Sequence, residues 1–315
     1  VPVLGARAGG ALAFGARQAG DAMSGLDLIM SSIRLSLPLA FAAFGGLLSE
    51  RSGVANIALE AYLLVSAFAA AVAAHATGSL ALGALCGVLA AGGAGLAFAI
   101  ACVYGRGDQI VIGTAFNLLA AGALPTILKS LYDVSGSTPA LPLELRFASP
   151  WPFAALAVAL ALALRFLFSA TRHGLRIDAA GENPQALVTQ GASFRLVRVR
   201  AVVEGALIAG VGGAYLSLCQ GSGYTRDMSA GRGFIALAAL IFGNWRPVPT
   251  LLACLFFGLT DAIQIQLQGH SWNGVAIPSQ FIQIIPYLAT LIALVAFSRR
   301  IAPPAAINRD AGADF

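Results

Sequence analysis

Four residues stand out because their chemistry is out of place among apolar neighbours. Asn56 and Glu60 open one long apolar stretch, and Phe116 and Asn117 lie inside another. An ionised carboxylate inside hydrocarbon costs several kcal/mol unless it meets water or a partner, so Glu60 is expected to point inward. Read as helix, the four-residue spacing of Asn56 and Glu60 puts both on one face. A carboxylate and an amide side by side can hydrogen-bond sugar hydroxyls or a base edge. They can equally form a clasp between helices, with Arg34 as the partner of Glu60, and the spacing leaves both readings open. Asn117 sits at comparable depth in its own stretch. Phe116 can stack on a planar ligand, although a Phe in such a helix is commonly packing.

A second group lies in a charged loop. Asn183, Pro184 and Gly191 carry helix-boundary chemistry: an N-cap, a first helical position and a C-terminal stop. They predict a short surface helix over 184–190, preceded by Gly181 and Glu182 and containing Ala186. A rigid, Gly-bounded knob of this kind is suited to docking a soluble partner and passing force to it.

The elements that position these residues follow from composition. The 315 residues are 58% hydrophobic and 10% charged, against roughly 25% charged in soluble domains. Segments of about 20 apolar residues suffice to cross a bilayer. Nine apolar segments appear: 28–48, 54–76, 79–103, 110–132, 150–168, 200–219, 233–243, 248–268 and 276–298. The seventh is too short to cross alone and reads as a half-helix or re-entrant piece. The expected fold is therefore an all-α polytopic transmembrane bundle of about eight or nine membrane segments. Residues 1–27 form an N-terminal segment expected at the membrane interface, 28–300 a single transmembrane domain, and 301–315 a tail. The 36 glycines suit close helix packing in lipid.

Arg165, Arg172, Arg176, Arg195, Arg198 and Arg200 surround the loop 169–199, which places it in the cytoplasm by the positive-inside rule. The same count puts 48–53, 104–109 and the tail in the cytoplasm and 133–149 outside. It leaves the N-terminus outside despite Arg7 and Arg17, a conflict that an interfacial N-terminal helix or a broken second segment would resolve. The net charge of +5 belongs with anionic lipid, not nucleic acid. The four cysteines and three histidines stand apart, so neither a metal site nor a cofactor is expected. There is no G-x-x-x-x-G-K-[ST] phosphate loop, no G-x-S-x-G and no H-E-x-x-H, which argues against an enzyme and against an ATP site.

Four ordered stretches, SERSGVANIALE at 49–60, DQIVIGTAFN at 108–117, HGLRIDAAGENP at 173–184 and GRGFIALAALIFGNWRP at 231–247, together resemble the permease family of ABC importers for nucleosides, simple sugars and branched-chain amino acids. The nucleoside branch is the most similar. The resemblance implies a bacterial inner-membrane subunit that forms a substrate pathway, with Asn56, Glu60, Phe116 and Asn117 as candidate pathway residues. It implies a cytoplasmic ATPase that docks on Gly181, Glu182, Asn183, Pro184, Ala186 and Gly191. It also implies a second, similar permease and a periplasmic or lipid-anchored substrate-binding protein. The family usually has Gly where this chain has Ala58 and Ala61. An ion-coupled secondary transporter, which also uses broken helices and buried polar groups, is the competing reading. Ribose-like or amino-acid substrates compete within the first.

Overall fold

Apolar runs of the chain fold as helices whose ends fall where capping groups lie. The computed structural model describes residues 25–134, 136–268, 271–272, 275–276, 284, 288, 291 and 303–307. Helix α1 covers Gly25–Arg51 and α2 Leu59–Thr77. Helix α3, Leu80–Ala99, runs on into a π turn, Ile100–Tyr104. Helices α4 (Gln109–Tyr132), α5 (Trp151–Ala170), α6 (Arg172–Glu182) and α7 (Pro184–Thr189) follow. Helix α8, Phe194–Tyr215, ends in a second π turn, Leu216–Gln220, before α9 (Arg232–Phe242) and α10 (Pro247–Leu267). Two-residue strands β1 (Ser271–Trp272) and β2 (Val275–Ala276) pair antiparallel after α10.

Among the described residues, seven helices are long and apolar enough to cross a membrane: α1 to α5, α8 and α10, with the two π turns extending α3 and α8. Helix α9, with 11 residues, rises about 16 Å and is too short. The helix starts have local causes. Asp108 accepts from the amides of Ile110 and Val111, both at 2.9 Å, and Thr171 accepts from Gly174 at 3.1 Å. Each satisfies amides that a helix start leaves without partners.

Helices α1, α2 and α8 form the interior. They approach closely because their facing residues are small. A side chain at Gly45 would collide with the Gly205 carbonyl, and one at Gly83 or Gly87 with the backbone and alanines of α2. Around them, α3, α4, α5 and α10 expose Leu89, Leu118, Leu119, Phe166 and Leu252, as a lipid-facing surface requires.

Two ends can be told apart by their hydrogen bonds. At one end Arg51 pairs with Asp178, Arg198 reaches Ser52 and Ala180, and the Trp245 indole reaches Glu50. At the other, Thr138 and Leu141 donate to the carbonyls of Tyr224 and Ser222, and Arg226 donates to Gly136. Residues 48–53 thus share one end with 169–199, opposite 133–149, as the alternation of segments counted from the sequence requires.

Three sequence expectations need correction. Helix α2 starts at Leu59, not near residue 54, because residues 52–58 are irregular. Asn56 therefore precedes the helix and does not share a helical face with Glu60. The loop 169–199 is mostly helical, since α6 and α7 fill it. Asn183 makes no side-chain cap, although Pro184 does occupy the first turn of α7. The ninth segment, 276–298, and residues 1–24 fall largely or wholly outside the described residues.

Candidate functional site

Residues 52–58 interrupt the run from α1 into α2: the amides of Ser52, Gly53 and Val54 turn back onto carbonyls of α1, while other backbone groups of the stretch lack helical partners. Non-helical backbone inside a membrane bundle must be satisfied by protein or water. Here side chains do it. Gln109 accepts from the Ala55 amide at 2.6 Å, and Ser49 donates to the Val54 carbonyl at 2.9 Å. Arg198 Nε donates to the Ser52 carbonyl at 3.0 Å. Asn117 bridges two points: Nδ2 donates to the Ile57 carbonyl at 2.8 Å, and Oδ1 accepts from the Ala61 amide at 2.9 Å. This amide is thus built into the start of α2.

Glu60 joins that same start to α9. Its Oε1 accepts from the Ser229 hydroxyl at 2.5 Å and the Gly231 amide at 2.8 Å, and its Oε2 accepts from the Gly233 amide at 2.6 Å. Gly231 is the N-cap of α9, so the carboxylate sits on the positive end of that helix dipole. The approach is close enough to require glycine: a Cβ at Gly233 would meet Glu60 Oε2 at 2.7 Å and its backbone closer still. Among the described residues Arg51 forms a salt bridge with Asp178, and His173 Nε2 lies 2.9 Å from Glu204 Oε2. Arg34 is exposed and forms none with Glu60. The clasp therefore exists, but its partner is the turn before α9.

Asn56 is completely buried and neighbours the Tyr62 hydroxyl, yet neither group has a hydrogen bond in good geometry. Glu50 lies beside the Asn56 amide and accepts from Trp245 Nε1 at 2.7 Å. Phe116 is half-buried. It packs edge-on to Phe98 with centroids 5.8 Å apart, and Phe98 packs on Tyr62 at 6.4 Å. The structure thus gathers Asn56, Glu60, Phe116 and Asn117 around residues 55–61. Glu60 and Asn117 already spend their polar atoms on the chain itself. Ser229, Gly231, Gly233 and Gln109 complete the arrangement. Gln109, Gly231 and Gly233 lay inside the sequence stretches noted above without an assigned role, and Ser229 lay just before the last of them, because only the fold shows which amides need acceptors.

The second site is the end of the bundle that carries α6 and α7. Arg51 Nε and NH2 donate to the two carboxylate oxygens of Asp178 at 2.7 and 2.6 Å, and the guanidinium lies 3.8 Å from the centre of the Phe168 ring. Burial raises the Asp178 pKa above the ordinary carboxylate value, with Arg51 opposing the shift. Gly181 packs on the Arg51 carbonyl and accepts from the Ala306 amide at 2.7 Å. Arg198 NH2 donates to Ala180 at 3.2 Å. Helix α6 is therefore fastened to the end of α1. Beyond it, Glu182, Asn183 and Gly191 are exposed, Pro184 and Ala186 are half-buried, and Leu187 anchors α7. Leu175 and Val188 are exposed apolar residues on this surface. Gly191 has φ +73°, the left-handed geometry expected of a helix stop. An open groove of about 610 Å³ between α3, α6 and α8 holds the His173–Glu204 contact. No cluster of metal-binding side chains occurs among the described residues.

Comparison with known proteins agrees with this architecture. The family model for the permease component of branched-chain amino acid transport systems matches residues 28–295. The nucleoside ABC transporter permease protein NupC of Lactococcus lactis is 33% identical over 309 residues, covering 89% of this chain and 95% of that protein. The guanosine ABC transporter permease protein NupQ of Bacillus subtilis is 33% identical over 303 residues, covering 89% and 94%. A putative glucose ABC transporter permease protein of Haloferax volcanii is 29% identical over 297 residues, covering 85% and 90%. No solved structure matches. A multi-pass helical bundle with a half-length helix held by a buried carboxylate, matched over nearly its whole length, belongs to the family of branched-chain amino acid transport system permease components.

Proposed function

We propose that this chain is the membrane subunit of an ATP-driven importer in a bacterial inner membrane and carries nucleosides or related simple sugars. The observation that carries this reading is the near full-length similarity to two permeases named for nucleosides and guanosine. The glucose-type relative supports keeping simple sugars in the substrate class. A second, similar permease would complete the pore. A cytoplasmic ATPase would supply the energy, since this chain carries no phosphate-binding loop, and a periplasmic or lipid-anchored binding protein would deliver substrate. The seven long helices, the half-length α9 and the apolar stretch 276–298 together make up the eight or nine membrane segments of a domain spanning 28–300. Residues 1–27 lie at the interface and 301–315 form a cytoplasmic tail.

The surface formed by Gly181, Glu182, Asn183, Pro184, Ala186 and Gly191 is the ATPase-docking element. Its support is mechanical: α6 is fastened by Arg51–Asp178 to the end of α1, next to the broken stretch 52–58, so a push on α7 reaches the interior. Asn56, Glu60, Phe116 and Asn117 form the wall of the pathway. Glu60 and Asn117 act there as positioning residues that fix α9 and the start of α2, not as ligands held free for substrate.

The test is uptake by the complex reconstituted with its ATPase and binding protein, using nucleosides, hexoses, ribose and branched-chain amino acids. ATP-dependent uptake of a nucleoside or sugar is expected. Uptake that survives ATP removal and collapses with the proton gradient would overturn the proposal. Within the same complex, Glu182→Arg or Ala186→Trp should abolish substrate-stimulated ATP hydrolysis with insertion intact; unchanged stimulation would remove the docking assignment.

A further inference from the structure

The chain between α8 and α9 has an unusual course. Ser222, Tyr224 and Arg226 are tied to residues 136–141 at the outer end. A few residues later, Ser229, Gly231 and Gly233 are tied to Glu60 in the bundle interior. From there α9 runs to the cytoplasmic end, where Trp245 meets Glu50. The descending stretch is non-helical, and Thr225, Arg226, Asp227 and Ala230 on it are exposed. Backbone of this kind, carrying an exposed Arg and Asp, is not stable against hydrocarbon and belongs beside water. On that ground the surface next to it would face an aqueous vestibule opening outward.

Phe234 lies on that surface, in the first turn of α9. It is 49% exposed, and it is the one strongly exposed large apolar side chain among the described residues of α9. Its neighbours Gly233 and Ala236 are buried. The exposed Leu and Phe residues of α3, α4, α5 and α10 recur along long helices as a lipid surface does. Phe234 instead stands alone four residues after Ala230. Its backbone is fixed, since the Gly233 amide is held by Glu60 and the Phe234 amide donates to the Gly231 carbonyl at 3.0 Å. A rigidly mounted aromatic ring at the foot of a wet vestibule is a stacking surface, and a flat heteroaromatic base is the ligand that matches it.

We infer that Phe234 is the platform on which a nucleoside base stacks as it enters this subunit, which rests on the nucleoside reading above. The experiment compares wild type with F234A, F234L and F234W in the permease–ATPase complex in nanodiscs. Binding of a radiolabelled nucleoside is measured without the binding protein, and uptake is measured with it. F234A and F234L are expected to weaken nucleoside binding about 5- to 150-fold, while F234W stays within about twofold. Melting temperature should not change, because the ring is not part of the core. Nucleoside binding unchanged in F234A, or F234L equal to F234W, overturns the platform while leaving the parent reading intact. Loss of assembly with the second permease in F234A makes Phe234 an interface residue and also overturns it. A wild-type complex that takes up no nucleoside overturns the parent reading itself.

Discussion

Substituting Gln for Glu60 separates a structural latch from a substrate ligand. The wild-type carboxylate accepts three hydrogen bonds, two on Oε1 and one on Oε2. The Gln amide keeps the shape but presents one oxygen and one NH2 group. Placing its oxygen toward Ser229 and Gly231 turns its NH2 against the Gly233 N–H, donor against donor. One charge-assisted bond is lost, worth about 1.5–3 kcal/mol. The negative charge on the α9 dipole is also lost, worth up to about 2 kcal/mol in a partly buried setting. Relief of the buried charge offsets part of this. The expected net destabilisation is about 2–4 kcal/mol. It should appear as a lower melting temperature in detergent, with near-normal uptake per folded complex. Arg34→Ala should leave the melting temperature unchanged, since Arg34 is exposed and makes no ion pair with Glu60. A Glu60→Gln variant with wild-type stability and impaired turnover would refute the latch and return Glu60 to the substrate path. An Arg34→Ala variant with the same defect would refute the assignment of its partner.

Three further outcomes are expected. Asn117→Leu strands the Ala61 amide and the Ile57 carbonyl, at about 1–3 kcal/mol for each buried group, so thermal denaturation should show a larger loss than Leu118→Ala on the exposed face of α4. Arg51→Ala should destabilise more than Asp178→Asn, by about 1–2 kcal/mol, because it leaves a half-buried carboxylate without its cation, whereas the amide removes the group that burial disfavours; equal losses would count against this. Asp178 also gives a pH signature. Its folded pKa lies above the unfolded value of 3.8, so its contribution is greatest when protonated and falls as pH rises through the window between the two values. Asp178→Asn should flatten that part of the stability–pH curve, and an identical slope in the variant would contradict the shift.

The sequence was informative where one residue type forces one outcome. Charge scarcity and run length were enough for the membrane bundle. The eleven-residue segment 233–243 could not make a full crossing, and α9 is indeed half-length. The failure at Asn56 has a definite cause. The apolar pattern from Val54 onward is compatible with helix, and nothing local forbids one. What breaks the helix is tertiary: Gln109 and Asn117 on α4 and Arg198 on α8 supply bonds that make irregular backbone stable there. The partner of Glu60 was hidden for the same reason. Ser229 and Gly233 are about 170 positions away, and two of the three donors are backbone amides, which every residue carries. A search for charged partners finds Arg34 and overlooks them.

That distribution of bonds also links the buried carboxylate of Glu60 to the end of α1. The broken stretch 52–58 is held at its ends by two different parts of the molecule. Arg198 on the Ser52 carbonyl and Arg51 on Asp178 fasten its start to α6, while Asn117 and Glu60 fasten its finish to α4 and α9. Irregular backbone bends at lower cost than helix, because no ladder of internal bonds has to break. A displacement of α6 would therefore be taken up in 52–58 and delivered to Glu60, which grips the first turn of α9. Phe234 is the next residue after the gripped Gly233 amide, so a shift there would move its ring directly. On this geometry Gly181→Ala is the sharpest perturbation of the link, since the added methyl collides with the Arg51 carbonyl and lies 3.2 Å from the Gly53 amide. It should leave α9 and nucleoside binding intact while weakening the response of uptake to ATP hydrolysis. Full coupling in that variant would mean that force reaches the pathway by a route other than α6 and the end of α1.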